Sequence, residues 1–237
     1  MNDAADRDQF GLLAASSVHD IKNSLSMLLQ TLEDVIRSTP DQSETLRQQF
    51  GVLQGEAARI NNDLLYFLGL YRLQKNQLPL QIQSVYVAEF LQEQMLNNAL
   101  LFEIRKLELA LDCDDALTAY FDPTLIAGII NNVLVNAARY ARHSVRVSAQ
   151  ARPDGLLISV HDDGAGFPQK MLQQSSANRE QRSLNGERGI DFSTGSTNLG
   201  LYFAGEVAAK HRRGDLAGTI ALSNDSAGGG CFQLYLP

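Results

Sequence analysis

A seam of apolar residues, recurring at alternating three- and four-residue steps, constrains the first third of the chain more than any other feature. Val18, Ile21, Leu25, Leu28, Leu32 and Val35 form one such series, and Leu46, Phe50, Leu53, Ala57, Ile60, Leu64, Phe67 and Tyr71 form a second. A heptad of this kind lays one narrow stripe along each of two α-helices. Between the two stands "STPDQS". Thr39 suits an N-cap, Pro40 the first helical position, and Gln42 can close a capping box. The pattern predicts a helical hairpin over residues 1–76. Two helices cannot cover both seams, whereas two copies of the hairpin supply a four-helix bundle. A homodimer is therefore expected.

The polar stretch "QKNQLPLQIQS" follows, and residues 77–84 read as a linker. From residue 85 to 237 the period changes repeatedly. "VAEFLQEQMLNNALLFEI" reads as a helix, and "LELAL" and "LTAYF" as short strands. "DPTLIAGIINNVLVNAARYA" reads as a helix opened by Asp122 as N-cap and Pro123 in the first turn. "SVRVSAQA" and "GLLISVHD" alternate like paired strands across a turn at Pro153–Gly155. "NLGLYFAGEVAAKH" is another helix, and "GTIALSN" and "CFQLYLP" make a closing strand pair. The expected architecture is an α+β sandwich, with helices on one face of a mixed sheet.

Bulk properties narrow the function classes. A chain of 237 residues has room for two modest domains, each with a core. The net charge of −7, with no dense basic stripe, argues against a nucleic-acid partner. The two cysteines, Cys113 and Cys231, show no ligand-like spacing and read as reduced thiols of a cytoplasmic protein. "MNDAADRDQF" lacks a signal-peptide pattern, and no apolar run reaches the roughly 18 residues of a membrane span. No membrane contact is expected from this chain itself. The cytoplasmic part of a membrane-anchored protein would read the same way.

Four features of the second half could carry chemistry. Asn132 and Asn136 are four apart and share a helix face, with Arg139 and Tyr140 one turn on. An amide oxygen suits magnesium, and an arginine suits phosphate. "HDDGAGFP" places Asp162, Asp163, Gly164 and Gly166 at the end of a strand. The glycines allow close approach of a ligand, and a carboxylate can accept from an exocyclic amine such as that of adenine. Residues 169–194 form a long polar segment of the kind that is usually functional. It leads to "GSTNLGLYFAG", a glycine-rich helix start whose free N–H groups suit phosphate. Each feature alone also fits an ordinary solvated face, turn or capped helix.

Taken in order, the asparagine helix, strand, D-x-G-x-G, long loop and glycine-rich helix start resemble the ATP-binding domain of the GHKL superfamily, of the Bergerat type. With the hairpin in front, the chain resembles a sensor histidine kinase core of a two-component system. "NNVLVNAARYA" resembles the kinase asparagine box, "HDIKNSL" the histidine box and "GGGCFQLYLP" the closing strand. The resemblance implies ATP and magnesium as cofactors, with Asn132 and Asn136 at the nucleotide and Asn136 as the metal ligand. It implies Arg139 and Tyr140 near the phosphates and Asp162 on the adenine amine. Gly164 and Gly166 would shape the adenine pocket. Residues 169–198 would form a lid, and Thr197, Leu199 and Gly200 would face the phosphates. Hydrolysing members carry a glutamate where Asn132 stands. An amide cannot serve as a general base, so the site resembles one that holds ATP for transfer.

The same resemblance makes His19 the nucleophile, Asp20 the acidic residue that accepts or orients its proton, and Asn23 the residue that positions water for dephosphorylating a partner. That partner would be the receiver domain of a response regulator. On the heptad His19 directly follows the core position Val18 and lies on the flank of the seam. The chain departs from the family pattern at Ser24, where proline is usual, at Asn198, where glycine is usual, and at Arg212 and Arg213, where two glycines are usual. These departures keep open a second reading, a degenerate kinase acting as regulator-binding scaffold or phosphatase.

Overall fold

The computed structural model describes residues 79–173 and 199–237, apart from Ala227, together with scattered positions between 21 and 69. The chain divides into two units, Met1–Pro79 and Leu80–Pro237. In the first, every described residue from 21 to 35 and from 49 to 69 is helical. Of the seam, Ile21, Leu28, Val35, Leu53 and Ile60 are exposed in the single chain, and Ala57 is buried.

The second unit is built on a five-stranded sheet ordered β2-β4-β5-β9-β8, from β2 (Glu108–Cys113), β4 (Ser144–Arg152), β5 (Gly155–Asp162), β8 (Thr219–Asn224) and β9 (Gly230–Leu236). β2 and β4 pair in parallel, and the other neighbours are antiparallel. Alternation decides which face is covered. Val145, Val147, Ile158, Val160, Phe232 and Leu234 are all buried and meet across the strands. Among the described residues, helices α1 (Val87–Asn97), α2 (Ala99–Arg105), α3 (Pro123–Tyr140) and α4 (Leu199–Lys210) accompany the sheet. The short pair β1 (Gln83–Tyr86) and β3 (Thr118–Phe121) forms a separate antiparallel ribbon, as does β6 (Arg212–Arg213) with β7 (Leu216–Ala217).

α3 is the central helix. Its apolar residues Ile126, Ile129, Ile130, Val133, Leu134, Ala137 and Ala138 recur at helical spacing, and all are buried. Each isoleucine so buried contributes about 1.5–3 kcal/mol. Asp122 caps the helix, accepting from Leu125 N at 3.0 Å, and Pro123 follows at the first position. The other Asp122 oxygen accepts from Gln81 N at 2.8 Å. The Asp122 N–H donates to His211 Nε2 at 3.1 Å, and His211 Nδ1 donates to the Val207 carbonyl at 2.9 Å. This pairing sets the His211 tautomer and ties the end of α4 to the start of α3.

The structure alters the sequence-based reading in three places. The stretch expected as one helix over 87–104 breaks at Asn98. The Asn98 amide donates to the Gln94 carbonyl and the Asn131 side chain, each at 2.8 Å, and so offers the backbone an alternative to further helix. The stretch expected as linker, residues 77–84, is recruited in its second half. Gln83 and Ser84 pair with Phe121 and Tyr120, and Gln81 is held by Asp122. Arg212 and Arg213, which stand where two glycines are usual, pair with Leu216–Ala217 in the β6–β7 ribbon, turned at Gly214 with φ +60°. Cys113 and Cys231 are both free.

Burial pushes the His211 imidazole below its ordinary 6.5, against the Val207 carbonyl and the Asp122 charge, which act to raise it. Below pH 6.5 the unfolded chain therefore binds a proton that the folded chain resists. The stabilisation is complete above that pH and is lost as pH falls towards the depressed folded value. His211→Ala is expected to cost about 1–3 kcal/mol at pH 7.5, since it strands the buried Asp122 N–H. Urea unfolding at pH 7.5 and 5.5 checks this, and the deficit should be smaller at the lower pH.

Candidate functional site

The exposed face of α3 carries the asparagines singled out above. Asn136 Nδ2 donates to Asn132 Oδ1 at 3.2 Å. The amide of Asn136 thus commits its N–H to its neighbour, which leaves its oxygen, a hard donor, as the atom suited to a magnesium ion. Asn132 is half-buried because Gly200, in the first turn of α4, packs directly on it. A Cβ at Gly200 would overlap the Asn132 amide and lie 3.0 Å from its Cγ. Glycine is required there for close approach, not for backbone twist. The contact sets the first described turn of α4, where helix N–H groups and the positive end of the dipole favour phosphate, against the asparagine pair. Leu199 opens this helix and is half-buried.

The C-terminal end of α3 meets the strand-end loop. Arg139 and Tyr140 are exposed. Gly164 is buried and packs on the Tyr140 carbonyl, which leaves no room for a side chain. Asp162 ends β5, half-buried, and its Oδ1 accepts from Gly164 N at 2.9 Å. Glycines surround it. A Cβ at Gly164 would lie 2.7 Å from Asp162 Oδ1, one at Gly230 would lie 2.7 Å from Oδ2, and one at Gly229 would overlap the Asp162 carbonyl. A half-buried carboxylate packed largely by glycines leaves room for a flat ligand and acts as an acceptor. From Asn132 to Tyr140 the helix advances about 12 Å, at about 1.5 Å per residue. α3 therefore sets the separation between the amide pair and the carboxylate.

Four residues that the sequence reading left without a role shape this end. Asp163 accepts from Arg142 N at 2.8 Å, His143 N at 3.0 Å and His143 Nδ1 at 3.1 Å. Burial acts to raise its pKa. Hydrogen bonds from the His143, Arg142 and Ser144 backbone and from the His143 ring nevertheless hold the carboxyl well below the usual carboxylate range. Asp163 so orders the connection from α3 to β4. Asn224 clamps Phe167, accepting from its N–H at 2.7 Å and donating to its carbonyl at 2.9 Å. The same side chain fills the space beside Gly166, whose φ of +77° suits glycine. Gly229 and Gly230, quoted only as part of a closing turn and strand, close the shell around Asp162.

The structure thus gathers Asn132, Asn136 and Gly200 at one position on α3, and Asp162, Gly164 and the Tyr140 backbone at another. Asn23 is helical and exposed in the first unit. His19, Asp20, Thr197 and most of the expected lid, residues 174–198, lie outside the described residues, and residues 169–173 form a helical turn. Among the described residues no helix is long and apolar enough to cross a membrane.

Comparison with known proteins agrees with this geometry. Residues 121–237 match the family described as histidine kinase-, DNA gyrase B-, and HSP90-like ATPase. The sensor-like histidine kinase SenX3 of Mycobacterium tuberculosis is 26% identical over 237 residues, covering 99% of this chain and 54% of that protein. The virulence sensor histidine kinase PhoQ of Salmonella typhimurium is 24% identical, covering 92% of this chain and 42% of that protein. The chain spans about half the length of these relatives, or less. Among solved structures, the Acinetobacter baumannii histidine kinase AdeS superimposes with a TM-score of 0.58 at 15% identity, over 92% of this chain and 96% of that one. Full-length ShkA in complex with AMPPNP gives 0.63 at 18% identity, over 95% and 45%. Residues 121–237, with the asparagine helix, glycine-caged carboxylate and glycine-rich helix start in one unit, form an ATPase domain of that family, and along nearly its whole length the chain is similar to sensor histidine kinases.

Proposed function

We propose that the chain autophosphorylates His19 with ATP and passes the phosphoryl group to an aspartate on the receiver domain of a response regulator. The observation that carries the reading is the pair of clusters on α3: a glycine-caged acceptor at one end and an amide pair under a helix start at the other. The first suits the adenine amine through Asp162, with Gly164 and Gly166 shaping the pocket. The second suits the phosphates through Asn132, Asn136, Leu199 and Gly200, with Thr197, Arg139 and Tyr140 beside them. Magnesium, held by the Asn136 oxygen, would neutralise phosphate charge, which dominates phosphoryl transfer together with positioning.

In the transfer, a neutral His19 ring nitrogen forms the bond to the γ-phosphorus as the bond to the β-bridging oxygen breaks and ADP leaves. The proton on the other ring nitrogen passes to Asp20. The absence of a carboxylate at position 132 disfavours attack by water. In the reverse sense, Asn23 orients water against the phosphorylated regulator, giving a phosphatase activity on the same helix. The exposed seam residues Ile21, Leu28, Val35, Leu53 and Ile60 support a homodimer, since a second hairpin would bury them. Residues 1–76 form the dimerisation and phosphotransfer hairpin, and residues 85–237 the catalytic domain. The site lies in the cytoplasm, where ATP is available.

Two outcomes check this reading. With γ-labelled ATP and magnesium, the protein should acquire acid-labile, alkali-stable label that His19→Ala abolishes. Label retained in that variant would place the phosphoacceptor elsewhere. In equilibrium titrations with ATP, Asp162→Asn and Gly200→Ala should each weaken binding roughly tenfold or more, the first by losing a charge-assisted acceptor and the second by pushing α4 off Asn132.

A further inference from the structure

Asn131 stands beside Asn132 but points another way. Neighbours on a helix lie about 100° apart. While Asn132 lies under Gly200, Asn131 turns towards α1. Its Nδ2 donates to Gln94 Oε1 at 3.0 Å, and its Oδ1 accepts from Asn98 Nδ2 at 2.8 Å. Asn98 Nδ2 also donates to the Gln94 carbonyl at 2.8 Å, and Gln94 Nε2 donates to the Phe90 carbonyl at 3.3 Å. Gln94 is only 4% exposed. Three side-chain amides therefore join α1, the turn at Asn98 and α3 in one connected network.

An interface of this kind is unusual for a helix pair that needs only to stick. Apolar side chains would join the helices without the desolvation cost of amides and would tolerate small rotations. A connected amide network is satisfied in one arrangement only, because turning α3 breaks donors and acceptors together. We infer that Gln94, Asn98 and Asn131 are positioning residues of the nucleotide site, which fix the rotation of α3 so that Asn132 and Asn136 face the phosphate end. The inference rests on the nucleotide-binding reading above. The network does not touch Asp162 or its glycines, so the adenine end is independent of it.

That independence makes the test selective. Gln94→Leu/Asn131→Leu removes both members of a pair and leaves the half-buried Asn98 amide its bond to the backbone carbonyl of residue 94, so the melting temperature should stay within a few degrees of wild type. Affinity of the full chain for ATP with magnesium should fall roughly tenfold, while affinity for adenosine is unchanged. Asn98→Ala, at the turn, should shift ATP in the same direction by roughly threefold and again spare adenosine. Unchanged ATP affinity in folded variants would overturn the inference, as would adenosine weakened by the same factor. A wild-type protein that binds neither ligand would instead overturn the nucleotide-site reading itself.

Discussion

The site depends on how α3 is held at its two ends. At the start, one buried carboxylate, Asp122, caps the helix, fixes the chain entering at Gln81 and shares its N–H with His211 from the end of α4. At the finish, Gly164 closes on the Tyr140 carbonyl, and Asp163 gathers the N–H groups of the following turn. A helix anchored this way cannot slide along its axis without breaking hydrogen bonds at both ends. The amide pair and the glycine-caged carboxylate therefore keep a fixed separation, which suits a ligand held at both of its ends.

Binding and transfer place different demands on the chain. The carboxylate shell and the asparagine helix are among the described parts of the catalytic unit, on strands and a helix with a dense apolar core. The proposed phosphoacceptor, His19, falls in the other unit, where the described seam residues Ile21, Leu28, Val35, Leu53 and Ile60 are exposed in the single chain. In the proposed homodimer a second copy would cover that seam. The sequence places both demands in one polypeptide of 237 residues.

Much of this was legible from residues alone, where the signal was local. The Asp122-Pro123 start of α3, its apolar periodicity, the alternation of β4 and β5 and the D-x-G-x-G turn each follow from neighbours within a few positions, and each matches the structure. The features that sequence reading missed are long-range. β1 has four residues and exists only because β3 pairs with it. The break at Asn98 needs Asn131, 33 residues away. The Asn224 clamp on Phe167 spans 57 residues. Gly229 and Gly230 looked like turn residues until the fold brought them against Asp162. In each case the missing information was a partner distant in sequence, which no local pattern encodes.

On the proposed reading Asp162 receives the adenine base while Asn136 and the start of α4 receive the phosphates. The most direct measurement is a crystal structure of the chain with magnesium and a non-hydrolysable ATP analogue. The exocyclic amine is expected within hydrogen-bonding distance of Asp162, and the phosphates beside Asn136 and Leu199–Gly200. A nucleotide bound elsewhere, or bound in the reverse sense with its phosphates at Asp162, would contradict it.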